Sequence, residues 1–221
     1  KQLSGVGVVY KFLQAVDDTL WQYEANKYLD LVALGNIADM MDIREYETKY
    51  LCSQGLKKIH NNCFKALIIK QSNTIHNEVN IRNVQFYIVP LLNALIRIGD
   101  MESKELLFKA LIGKTEYFNY VNKDKQSVRE NIYTRVARLC INAKAKQKRM
   151  VDKAADIIID NYPIDTVKTS VMFINATNNI RSELTGLMAN KLANIYKRPC
   201  LILMERNNGM YSGSGRNITD S

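Results

Sequence analysis

The 221 residues contain no Cys-x-x-Cys pair, and only His60 and His76 could join the scattered Cys52, Cys63, Cys140 and Cys200. A zinc site is thereby disfavoured, and the four thiols read as buried, neutral groups of a reducing cytosol. No apolar run reaches the roughly 18 residues that span a bilayer; the longest, residues 86–96, carries Asn93. No signal-type apolar core follows Lys1. The composition, 47% apolar and 24% charged, excludes a disordered or collagen-like chain and suits one large or two small globular domains. Acidic residues are the scarcer sign, 22 against 31 Lys and Arg, for a net charge of +9. That excess favours a polyanionic partner such as nucleic acid.

Proline and glycine are both absent from residues 126–161, which predicts one long helix there. Val128, Ile132, Val136, Leu139, Cys140 and Ala143 mark an apolar face, resumed at Val151, Ala154, Ala155 and Ile158. Between the two lies K-A-K-Q-K-R, residues 144–149, without a large apolar residue. A helix amphipathic at both ends and polar in the middle suits a bridge between two packed bodies. Before it, helices are expected over 6–16, 48–59, 64–70 and 103–112, the last with Ser103 as N-cap, and a polar loop over 71–80. The apolar run at 30–39, broken by Gly35, reads as a strand buried on both faces, and Pro90 within 84–98 should sit at a helix start or force a break. After Pro163 the pattern turns α/β: strand at 170–176, helix at 182–196, strand at 200–204, turn at Asn207-Asn208-Gly209, and a third strand at 210–216. Strand, helix, strand predicts a right-handed crossover.

Three segments, in this order, carry a resemblance. They are L-S-G-V-G-V-V-Y-K-F (3–12) followed by D-L-V-A-L-G-N-I-A-D (30–39), then F-Y-I-V-P-L-L-N-A-L-I-R-I-G (86–99), and finally T-G-L-M-A-N-K-L-A-N-I-Y-K-R-P-C-L-I-L (185–203) running into Y-S-G-S-G-R-N (211–217). The chain resembles RecJ, the single-strand-specific DNA exonuclease of the DHH phosphoesterase superfamily, over nearly its whole length, and its divergence suggests a phage member. The fold implied is α/β: the C-terminal part of a DHH domain at 1–125, a connecting helix at 126–162, and a smaller DHH-associated α/β domain at 163–221. The activity implied is phosphodiester hydrolysis with two divalent ions, Mn²⁺ or Mg²⁺, held by aspartates and a histidine, on single-stranded DNA in the cytoplasm, with no membrane partner.

The family's Asp-x-Asp and Asp-His-His motifs do not occur in these residues, and the resemblance implies that they lie in a missing N-terminal segment, upstream of Lys1. On that expectation the chain by itself is inactive. The G-N-I-A-D motif makes Asp39 the catalytic metal ligand, at a strand's C-terminal edge; Asp30 reads as a cap or surface residue. The P-R-L-N-A-x-x-R-x-G motif appears with Leu91 for its first arginine, and Asn93 and Arg97, one turn apart, are expected to clamp a phosphate. Ser212, Gly213, Ser214, Gly215 and Arg216 are expected to meet the nucleic-acid backbone, and Lys146 to line a single-strand channel. The family's histidine before the 182–196 helix has no counterpart in Asn178-Asn179-Ile180-Arg181. The alternatives are a relative acting on oligonucleotides or cyclic dinucleotides, and a non-catalytic replication subunit.

Overall fold

The computed structural model describes residues 3–122, 124–163 and 169–217. Two compact units emerge, Lys1–Lys144 and Ala145–Ser221.

The first unit is mainly helical. Helix α1 (Gly5–Leu20) begins where the Ser4 side chain accepts from the Gly7 N–H, and ends at Trp21 in the left-handed region. Helix α2 (Leu29–Ala38) is the segment expected to be a strand. It is apolar on every side because it packs against both α1 and α3 (Tyr46–Lys57). Two glycines permit that approach. A Cβ on Gly35 would lie 2.2 Å from Val6 Cγ1, and one on Gly55 would lie 2.2 Å from the Leu29 carbonyl oxygen. Gly55→Ala should therefore push α2 and α3 apart and cost about 2 kcal/mol. A urea titration measures this, and an unchanged midpoint would show that the helices separate freely.

Helix α4 (Asn62–Ile75) is capped by Asn61 and runs through the first half of the expected 71–80 loop, ending at His76 in the left-handed region. A one-turn helix, α5 (Ile81–Asn83), and a wide turn at Val84–Ile88 lead into α6 (Val89–Ile98), with Pro90 in its first turn as expected. Helix α7 (Met101–Leu111) is capped by Asp100, which accepts from the Ser103 N–H; Ser103 is not the cap. Phe64, Leu67, Ile88, Leu95 and Ile132 are fully buried in this unit.

Strands β1 (Tyr117–Val121) and β2 (Ser127–Asn131) form an antiparallel hairpin where the sequence suggested the approach and start of a helix. Asn122 Oδ1 closes its turn by accepting from the Asp124 and Gln126 N–H groups. The hairpin is held by arginines over rings: Arg129 on Tyr117 at 4.5 Å, Arg135 on Phe118 at 4.4 Å and Arg138 on Tyr120 at 4.2 Å. Arg138 also pairs with the buried Glu130. The long helix α8 is one element, Ile132–Asn161, starting six residues later than expected because residues 127–131 are spent on β2. It runs from the first unit into the second.

In the second unit, β3 (Met172–Asn175) pairs parallel to β4 (Cys200–Glu205), and β4 pairs antiparallel to β5 (Tyr211–Arg216). Helix α9 (Thr185–Tyr196) makes the crossover, preceded by a 3₁₀ turn at Ser182–Leu184. The α/β class expected from the sequence holds. Ile174, Leu184, Met188, Leu192 and Ile202 are fully buried here. All four cysteines are free and buried, and burial pushes the Cys63 and Cys140 thiols up to about 12. Among the described residues no helix is long and apolar enough to cross a membrane.

Candidate nucleic-acid interface

Asp39 closes α2 as its C-cap, with its own N–H bonded to the Gly35 carbonyl. Met40 follows in the left-handed region, φ 51°, and the Met40 and Met41 N–H groups return to the Ile37 and Asn36 carbonyls. The carboxylate is exposed and stands at the end of a helix, so the strand-edge placement falls away. It has no ion pair or side-chain hydrogen bond among the described residues. A negative charge at a helix C-terminus is unfavourable without a cation, so Asp39 suits one oxygen position of a hard divalent ion. The described residues bring no three His, Cys, Asp or Glu together to complete such a site. No hydrolytic step can be derived from these residues alone.

Asp30 is a different case. It is 1% exposed, and its carboxylate accepts from the Leu31, His60 and Asn61 N–H groups at 2.8, 2.7 and 2.6 Å. It is not a surface residue; it ties the turn between α3 and α4 to the start of α2.

On α6, Asn93 and Arg97 share a half-buried face, while Leu91 goes into the core. No carboxylate pairs with Arg97 among the described residues. The Arg97 charge is felt by another cation, Lys144 of α8: burial first, then Arg97, hold the Lys144 ammonium below its ordinary range. Two like charges held together favour an anion between them. Lys146, two residues on, lies on the opposite side of α8 and is exposed. Lys144, not Lys146, is therefore the α8 cation beside Arg97.

In the second unit the Ser-Gly-Ser-Gly-Arg run is edge strand β5. A Cβ on Gly213 would stand 1.8 Å from the Ile202 carbonyl oxygen, so the strand closes on β4 only with glycine there. Thr185 Oγ1 donates to the Ser182 carbonyl at 3.0 Å and meets Ser214 Oγ at 3.0 Å. The Arg216 guanidinium lies over Gly186, with Nη2 3.1 Å from where a Cβ would be and Ser214 Oγ 3.6 Å away. Nη1 donates to the Gly215 carbonyl at 2.7 Å. Helix α9 continues the 3₁₀ turn, and the Thr185 N–H donates to the Ser182 carbonyl, so the charge at this helix start is supplied by Arg216. Arginine and two hydroxyls thus converge at the start of α9. Ser212 stands apart, accepting from Arg206 Nε at 2.5 Å, and Gly215 is an exposed strand position. Thr185 and Gly186 were not singled out from the sequence as site residues. The only signal was a Thr-Gly at the head of a helix, which gains meaning once β5 lies across it.

No family model matches the chain. In fold and in sequence it is nevertheless RecJ-like. It is 40% identical over 98% of its length to the SPbeta prophage-derived single-strand DNA-specific exonuclease YorK of Bacillus subtilis (strain 168). It is 25% identical, over 99% of its length, to the single-stranded-DNA-specific exonuclease RecJ of the same organism. The chain spans 38% of the first of these relatives and 25% of the second. Among solved structures, RecJ of Thermus thermophilus in complex with Mn²⁺ matches 92% of the chain at a TM-score of 0.68 and 16% identity, and the chain covers 28% of it. The Mg²⁺ complex of the same protein matches at 0.69, with 29% covered.

Proposed function

We propose that this chain is the strand-holding part of a metal-dependent, single-strand DNA exonuclease of the RecJ type, acting in the cytoplasm. The reading rests above all on Arg216 lying over Gly186 beside Ser214 and Thr185 at the start of α9. That arrangement offers charge and hydroxyls to a phosphate without reading a base. Arg97, Lys144 and Asn93 offer a second phosphate contact on the first unit. Asp39 would give one oxygen to a divalent ion, Mn²⁺ and Mg²⁺ being the ions in the RecJ crystal structures. The remaining ligands are expected from residues outside this chain. When bound, such ions polarise the phosphate and supply hydroxide near neutral pH. The work of this chain's own residues is to hold the strand by its backbone.

The test is a salt titration of single-stranded DNA binding by the chain, wild type against Arg216→Ala. Each phosphate contact adds about 0.7 to the salt slope on single strands. The variant should bind more weakly, with a slope lower by about that amount. Equal slopes and affinities would make Arg216 a structural strand residue and remove the main support for the reading.

A further inference from the structure

The outward face of α3 is unusual for a surface helix. Tyr46, Lys49, Tyr50, Ser53 and Lys57 fall on it at helical spacing and all are exposed. Tyr46 is 82% exposed and Tyr50 51%, and their rings lie near-parallel, 17° apart with centroids at 6.3 Å. No carboxylate lies on this stripe. Glu47, on the flank, is taken by Lys11 at 2.8 Å, and Lys57 donates only to Gln54, at 3.1 Å. The far end of the stripe opens into a groove of about 480 Å³ between α3 and α5. Leu56, Val79 and Ile81 give it apolar walls, and Lys57 and Arg82 place cations at its edge. Ile81 also lines the neighbouring groove with Ile37, Met40 and Met41, the residues flanking Asp39.

Two exposed, stacked aromatic rings cost hydration and add nothing to the core. Rings alternating with cations, on a helix that also lines a partly apolar groove, match the chemistry of unpaired nucleobases on a charged backbone: bases stack on the rings and phosphates meet the lysines. We infer that the α3 stripe and its groove bind the bases of single-stranded DNA, separately from the phosphate contacts at Arg97 and Arg216. The inference rests on the proposed function, because it takes the strand as the ligand, and it adds base stacking to a reading made so far from phosphates alone.

The experiment is fluorescence-anisotropy binding of a labelled oligothymidine and of an equal-length abasic strand to the chain. Y46A/Y50A should weaken oligothymidine binding on the order of tenfold for each base unstacked, and should leave both the salt slope and abasic-strand binding unchanged. Y46F/Y50F should restore wild-type affinity. Lys49→Ala should instead lower the salt slope by about 0.7. Both rings are exposed, so the alanine variant should keep its thermal midpoint within the small range of surface substitutions. If the alanine variant binds oligothymidine as wild type does while Arg216→Ala is weakened, the stacking surface is wrong and the phosphate reading stands. If wild type binds neither strand, both fall.

Discussion

Replacing Asp30 with alanine should unfold the first unit at a temperature lower by on the order of 10 °C. The carboxylate is buried, and the N–H groups of Leu31, His60 and Asn61 end on it. Removing it takes the shared acceptor from three part-buried backbone donors and leaves a cavity at a buried position, at a cost of about 3 kcal/mol. In a unit of this size that converts to roughly the stated shift. Asp30→Asn keeps one acceptor oxygen and should lose about half as much. Hydrogen exchange localises the effect: the His60 and Asn61 amides should lose protection first. A full loss of protection across α6 and α7 with an unchanged midpoint would contradict the anchoring role.

The motif assigned the metal role to Asp39 and a cap or surface role to Asp30, but the element that carries both was not legible in the chain. Asp30 and Asp39 are the two ends of one largely apolar decapeptide. As a strand, that run would have placed Asp39 at a sheet edge; as a helix, it turns Asp30 inward and Asp39 outward. A short, largely apolar run fits either a buried strand or a buried helix. The choice was made by Gly35 and Gly55, which let α2 nest between two helices. The α/β unit was easier to read, because its periodicity changes from strand to helix and back, and Pro199 and Asn207-Asn208-Gly209 mark the borders. The hairpin was missed because arginine–aromatic pairs, not an apolar face, hold it, and those pairs join residues far apart in sequence. The same reason hid part of each of the two proposed phosphate contacts, one on each unit. Ser214 and Arg216 announce themselves in a small-residue run, whereas Thr185, Gly186 and Lys144 acquire a role only when another element arrives beside them.

Asp39→Ala should show the opposite signature to Asp30→Ala. The side chain touches no partner among the described residues, and its charge sits at the negative end of the α2 dipole. Removing it should leave the thermal midpoint of the chain unchanged or raise it, by about 0.5 kcal/mol in stability. A carboxylate kept where it costs stability is what a cation-holding role would produce. The 221-residue chain by itself should not hydrolyse single-stranded DNA with Mn²⁺, since one oxygen ligand does not hold two ions. In a hydrolytically active polypeptide that contains the chain, losing this ligand should reduce turnover on the order of a thousandfold, because metal charge accounts for several kcal/mol of the barrier. The pair of measurements separates the roles. A midpoint lowered as far as in Asp30→Ala would make Asp39 a structural residue. Near wild-type turnover with an unchanged midpoint would remove it from the metal site and leave Asn93, Arg97 and Arg216 as contacts to a strand whose cleavage is organised elsewhere.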